Sequence, residues 1–490
     1  MSLSRALSNA YTGLATSGFR ANVAASNVAN ASTPGYVRRE VITTENVAGN
    51  RANGVRVAGV ERHQDFSLTR LRRDSDASFG RANILASAYD QLNSELGAPG
   101  DEYGLFASFE SLESNFRELA STPESPALQN AVLASSTELV NQFNDLATMT
   151  NSLRNNADAN IGRSVETVNT ALERLHTLNG DIASMNPLSG DGAAALEDER
   201  QKLIDSIAEI IPINDIRKDG GQVDIVTDNG VYLLSGEVHE LSFQPAGVIP
   251  PGASYADGTG NLSGLFVGDQ ELTPGTGGNF SLSSGTLAGY FSVRDNVAPT
   301  FSAQLDSLAA DLVSRFSNDG LDPTKAAGAP GIFTDAGGPV DVTNISGIAG
   351  RLRLNAAIDP VQGGSATRFR DGLGATTTGP TGNADIINGF LDALNASNSA
   401  PSDLGLSGSF SSIELVAGFS SVIGENSIRH NALSASALTR SNALYDAEIQ
   451  KSGVDTDQEM QSLLLIEQSY AANARVIQTV GEMIDRLMQI

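Results

Sequence analysis

The chain has 490 residues, 40% hydrophobic and 18% charged, which is too long for one core and points to two to four folded units. Its net charge of −26 argues against a nucleic-acid partner, since phosphate binding needs an excess of Lys and Arg, and the absence of cysteine excludes disulfides and thiolate metal sites. No run approaches the roughly 18 apolar residues of a membrane span, and the N-terminus lacks the continuous apolar stretch of a cleavable signal peptide, so by ordinary rules the chain would stay inside the cell.

From the N-terminus, Leu3, Leu7, Ala10, Leu14, Ser17, Ala21, Ala24 and Val28 alternate four- and three-residue steps. This is a heptad seam with small residues where a partner helix must come close. The segment Ser26-Asn27-Val28-Ala29-Asn30-Ala31-Ser32-Thr33-Pro34-Gly35-Tyr36 ends that helix near Asn30. Thr33 precedes proline and is pushed to extended backbone, and Thr33-Pro34-Gly35-Tyr36 fits a type II turn that presents Tyr36 at a fixed place. On turn chemistry alone this describes any helix–turn–strand. Residues 1–73 carry ten Arg against four acidic residues, and the remaining chain carries a balance of −32. Such asymmetry suits a solvated surface or an assembly contact.

Helical patterns follow at 75–96 and 102–121. From about 125 to 184, Leu128, Val132, Leu139, Phe143, Leu146, Leu153, Ala157, Ile161, Val165, Val168, Leu172, Leu175 and Ile182 keep one helical face. At 1.5 Å per residue that predicts a rod of roughly 90 Å. A helix at 193–211 stops at Pro212. Residues 222–226 then alternate, Asp228-Asn229-Gly230 signals a turn and 231–234 return, a hairpin. Thirty-five of the 49 glycines lie between 186 and 424, and residues 245–285 and 319–380 are Gly/Pro/Thr-rich with short apolar runs. Leu352, Leu354 and Ala356 mark another strand. Helical patterns return at 297–317 and 411–450.

At the far end Leu463, Ile466, Tyr470, Asn473, Ile477, Val480, Ile484 and Leu487 form a second seam. Its polar member Asn473 either fixes register or lies at the seam's edge. Residues 1–30 hold Arg5 and Arg20 with no acid, and residues 457–490 have a balance of −3, so the terminal helices should attract each other. Seams this thin are marginal alone, and both arms are expected to fold only on assembly.

The Ser26–Tyr36 segment closely resembles the N-terminal signature of flagellar axial proteins, the rod, hook and hook-associated family. Ser452-Gly453-Val454-Asp455 through Glu459-Met460 to Tyr470-Ala471-Ala472-Asn473-Ala474-Arg475-Val476-Ile477 is similar to that family's C-terminal signature. Three internal segments narrow the resemblance to its hook-associated members: Glu197-Asp198-Glu199-Arg200-Gln201-Lys202-Leu203-Ile204-Asp205, Leu287-Ala288-Gly289-Tyr290-Phe291-Ser292-Val293-Arg294-Asp295-Asn296, and Arg351-Leu352-Arg353-Leu354-Asn355 with Asp359-Pro360. One departure is a Gln/Tyr-rich run reduced to Glu467-Gln468-Ser469-Tyr470.

The resemblance implies an extracellular subunit where hook meets filament, sent out unfolded through the flagellar type III export apparatus without signal cleavage. Implied partners are further copies in a tubular ring, the hook protein, a second hook–filament junction protein and an export chaperone on the C-terminal arm. Leu3, Leu7, Leu14, Asn27, Val28, Asn30, Thr33, Pro34, Gly35 and Tyr36, with the eight C-terminal seam residues, are the candidate assembly residues. The expected fold is α+β multidomain. Residues 1–55 with 455–490 form terminal coiled-coil arms. Residues 56–211 with 286–318 and 385–454 form an elongated helical bundle around the long helix. Residues 212–285 with 319–384 form an inserted β-rich outer domain.

Other readings are weaker. His63, His176, His239 and His430 are scattered, and no P-loop, nucleophile elbow or dinucleotide fingerprint occurs, so no catalytic residue or cofactor is expected. Asp455-Thr456-Asp457-Gln458-Glu459 lacks the glycine and later Glu of a calcium loop and suits a helix N-terminus instead. A hook or distal rod subunit shares both end signatures, but the long central helix argues against it. A secreted adhesin would not require mirrored heptad ends.

Overall fold

The computed structural model describes residues 3–48, 51–185, 192–256 and 262–489. Helix α1 (Leu3–Asn30) leads into an antiparallel hairpin, β1 (Arg39–Ala48) with β2 (Arg51–Arg62). Then come α2 (Phe66–Leu96), α3 (Leu105–Ser121), α4 (Pro126–Ser184) and α5 (Gly192–Ile210). The strands β3 (Ile213–Arg217), β4 (Val223–Thr227), β5 (Tyr232–Ser235) and β6 (Glu237–Val238) form one antiparallel meander. A second is made by β7 (Leu241–Ser242), β8 (Phe266–Val267) and β9 (Gln270–Glu271).

The chain returns to helix at α6 (Thr286–Ser292), passes through a π-helical turn at Val293–Val297 and continues as α7 (Ala298–Ser317). Short pieces follow: β10 (Phe333–Asp335), α8 (Ile348–Arg351), β11 (Leu352–Leu354), α9 (Arg368–Asp371), α10 (Asp385–Asn395), β12 (Asn398–Ser399) and β13 (Ser409–Phe410). The last helices are α11 (Ser412–Ser452) and α12 (Thr456–Met488). No described helix is long and apolar enough to cross a membrane.

The rod α4 starts where local chemistry dictates. Ser125 caps it by accepting the Leu128 N–H, and Pro126 fills the first turn, where no amide donor is needed. Its apolar face serves two cores in succession. Val132, Leu139, Phe143, Leu146 and Ala157 enter the first, with α3, α7, α10 and the start of α11. Ile161, Val165, Val168, Leu172 and Leu175 enter the second, with α5, α6 and the strands of residues 213–282. The first core centres on Phe116, whose ring meets those of Phe316, Phe369 and Phe390 within 6.3 Å. Where the cores meet, fully buried Arg294 of the π-helical turn pairs with Asp158 of α4 at 2.9 Å and with neighbouring Asp295 at 2.8 Å.

The sequence grouped residues 319–384 with 212–285 in one β-rich domain, and the packing divides them. Ile332, Phe333, Ile348, Leu352, Ile358 and Phe369 lie in the first core, among helices. Their only described sheet is the three-residue pair β10–β11, with Phe333 opposite Leu354. High Gly and Pro content marks loops pinned by single apolar residues, not strands. The hairpin of residues 222–234 does form, as β4 and β5. α2 starts earlier than its periodicity indicates, because Asp65 caps it by accepting the Ser67 and Leu68 N–H groups.

Candidate assembly interface

The terminal helices α1 and α12 pair with each other in the single chain, running antiparallel. Ser17 Oγ donates to Ser469 Oγ at 3.4 Å. Asn473 lies against Gly13, where a Cβ would meet its side-chain amide at 2.8 Å. Leu3 and Ala6 line one hollow with Val476, Val480 and Met483. Ala10, Ser17, Ala24, Ile466 and Val480 are buried, and Leu3, Leu14, Val28, Leu463, Asn473 and Ile477 are half-buried. Asn473 thus sits on the seam, seated where α1 has no side chain.

The seam is less covered than its spacing suggests. Leu7 is 37% exposed and Tyr470 47%, because Ser17, Gly18 and Ala21 opposite Tyr470 are too small to cover it. Ile484 and Leu487 are 36% and 61% exposed, since Leu3 already lies beside Val480. Both arms are helical and paired with each other.

The turn after α1 is built around Asn27. Tyr36 N–H donates to Thr33 O at 3.1 Å and Gly35 has φ +75°, the geometry of a type II turn. The turn brings the Tyr36 hydroxyl to Asn27 Oδ1 at 2.9 Å. Asn27 is fully buried and accepts the Arg39 N–H at 3.1 Å while its Nδ2 donates to Arg39 O at 2.9 Å. Asn30 holds the helix end, Nδ2 donating to Ser26 O at 2.9 Å and Oδ1 accepting from the Thr33 hydroxyl at 3.3 Å. Thr33, Pro34 and Gly35 face solvent at the tip, and Gly35 packs against the Lys202 stem of α5.

Arginines beyond the turn clasp the arms to the helical body. Arg38 donates to Glu459 of α12 at 2.7 Å, and its N–H donates to Ser452 O at the end of α11. Arg39 and Arg62 share Asp198 of α5, at 2.7 and 2.8 Å. Arg73 joins Asp205 and Asp215, each at 2.7 Å. Arg72 reaches Asp76 and Asp205 at 2.7 Å and also pairs with Glu448. Burial works against the Arg72 charge, but Asp205, Glu448 and Asp76 outweigh it and hold the guanidinium more firmly protonated than usual.

The basic excess of residues 1–73 is therefore largely spent inside the chain. Attraction between α1 and α12 themselves takes no such form. Arg5, Arg20, Glu467, Glu482 and Asp485 are exposed, and among the described residues no ion pair joins the two helices. Asp455 caps α12 by accepting the Asp457 and Gln458 N–H groups, as the helix-start reading required. The clasp residues Arg38, Arg39, Arg62, Arg72, Arg73, Asp198, Asp205, Glu448 and Glu459 were absent from the sequence-derived site. The signal was present in the arginine-rich first 73 residues and the acidic helix at 197–205.

A family model described as the flagellar hook-associated protein FlgK helical domain matches residues 89–331. A model of the flagellar basal body rod FlgEFG protein C-terminal matches residues 448–490. Flagellar hook-associated protein 1 of Bacillus subtilis (strain 168) is 25% identical over 520 residues, 99% of this chain and 96% of the relative. The Escherichia coli (strain K12) protein of the same name is 24% identical over 569 residues, spanning both chains in full. The solved flagellar hook junction protein FlgK of Burkholderia pseudomallei is 15% identical, with a TM-score of 0.42 over 54% of this chain and 46% of that one. The chain is a structural component of the bacterial flagellum. It belongs to the flagellar hook-associated protein 1 family.

Proposed function

We propose that this chain is a junction subunit that joins flagellar hook to filament, with its α1–α12 arm pair as the assembly element. The observation that carries the reading is the uncovered side of that pair. Leu464 and Leu465 of α12 are 59% and 67% exposed on a helix whose other side is seated on α1. Residues 1–55 with 455–490 act as the assembly unit, the helical body supports it and the β-rich part faces outward. Copies associate in a tubular ring, with the hook protein on one side and a second junction protein on the other.

The chain leaves the cell unfolded through the flagellar type III export apparatus, uncleaved, with a chaperone on the C-terminal arm beforehand. The work is mechanical, with no catalytic step. Immunogold electron microscopy of sheared flagella with antibody to the β-rich part tests this. A narrow band where hook meets filament is the expected result. Label along the whole hook would favour a hook subunit, and no label on any appendage would overturn the reading.

A further inference from the structure

Helix α11 changes character near Gly424. Its first three turns are fixed at both levels. Ser411 and Glu414 form a reciprocal cap, and Leu415, Val416, Phe419 and Ile423 are buried in the first core. From Gly424 to the helix end, the buried residues are Ser427, Ser434 and Ser452. Ser427, Ser434 and Ser441 recur every seven residues, along the side that meets α2. The large apolar residues of this stretch are left largely uncovered: Ile428 and Leu433 lie off that side, Leu438, Tyr445 and Ile449 flank it, and all five are 41–73% exposed. An amphipathic surface helix hides its large apolar residues under one packed face, and this stretch does not.

What joins this stretch to α2 is polar. Ser427 Oγ and Asn431 Nδ2 each donate to Asp90 Oδ1 at 2.6 Å, and Ser441 Oγ donates to Asp76. Glu448 accepts from Thr69 and Arg72. The His430 ring stacks on Tyr89 at 4.6 Å. The Ser452 hydroxyl is buried without a partner among the described residues. Opening exchanges the neutral hydrogen bonds for bonds to water, so the Arg72–Glu448 pair is the main polar contact that holds the stretch down. It also exposes little apolar surface, since the large side chains already face solvent.

We infer that residues 424–452 are a strap that lifts from α2 as one unit while both its ends stay anchored. One anchor is the core-bound start of α11. The other is α12, held on α1 and by the Arg38–Glu459 pair. Lifting the strap bares the outer face of α2 and loosens one of the tethers between arm pair and body. The inference does not depend on the junction reading, because it concerns the free chain.

Hydrogen exchange of the full chain, read by peptide mass spectrometry at two protein concentrations, tests it. Peptides within 427–448 should exchange at least about 100-fold faster than peptides within 132–146 of α4, at the same rate at both concentrations. Ser434→Leu with Ser441→Leu should slow the strap about tenfold or more and leave 132–146 unchanged, because each adds apolar burial against α2. Equal protection of strap and α4 in the wild-type chain overturns the inference whether or not the variant folds. Protection that rises with concentration also overturns it, since the stretch would then be held by a second copy.

Discussion

Asn27 is a short side chain with three partners, two on the Arg39 backbone and one on the Tyr36 hydroxyl. Its site is fully buried, so water cannot replace it. Asn27→Ala should destabilise the chain by about 2–3 kcal/mol, through unpaired buried groups more than lost contacts. Urea unfolding followed by circular dichroism measures that loss, and a change under about 0.5 kcal/mol would mean the turn is held by other means. Asp306 is the second residue whose environment sets a measurable property. Burial raises its carboxyl above the ordinary range, against the Ala349 and Gly347 N–H groups that pull it down. Its folded value lies above its unfolded one, so the folded state holds the proton more tightly. Its unfavourable contribution is full at neutral pH and fades as pH falls through the raised value toward the ordinary carboxylate range. Wild type should gain stability relative to Asp306→Asn between pH 7 and pH 4, read from urea midpoints at intermediate pH values.

Among the elements, α5 ties distant segments together through its charged side chains. Asp198 holds Arg39 and Arg62, Glu199 meets Arg174 at 2.7 Å, Arg200 donates to Gly221 O at 2.5 Å and Asp205 holds Arg72 and Arg73. One helix thus joins the arm turn, β2, α2, α4 and the β-rich part. Asp198→Asn removes the carboxylate charge that the largely buried Arg39 and Arg62 share and should cost about 3 kcal/mol. Faster proteolysis near residues 36–62, with unchanged cleavage in α4, would locate that loss at the clasp. Elements with strong periodicity were legible in the sequence. The spans of α4 and of both terminal helices follow from spacing alone, and the Thr33–Tyr36 turn from the fixed needs of Pro and Gly. The β1–β2 hairpin and the clasp were not legible. Alternating Val and Arg in residues 55–62 carried a strand signal, but which arginine meets which carboxylate depends on contacts more than a hundred residues apart in sequence. The uncovered apolar residues of α11 were hidden for a related reason. Its apolar residues have helical spacing, and spacing does not say which side is covered.

At the scale of the molecule, α4 makes two cores into one mechanical object. Residues through Ala157 belong to the first core, and from Ile161 the same helix serves the second, with the Arg294–Asp158 pair between them. Phe116→Ala removes the centre of the first core and Ile225→Ala a fully buried strand residue of the second. Each should cost about 3–4 kcal/mol through lost burial and the cavity left behind. If α4 transmits folding between the cores, each variant moves the whole unfolding transition, because neither core keeps its share of α4 once the other melts. Calorimetry separates the cases. A single endotherm displaced in both variants is the expected result, with equal calorimetric and van't Hoff enthalpies. Two endotherms, only one of which moves in each variant, would mean that the cores unfold independently and that α4 breaks between Ala157 and Ile161. In that event the buried pair would act as a joint and not a brace. Asp158→Ala would then pull the two transitions further apart instead of lowering one.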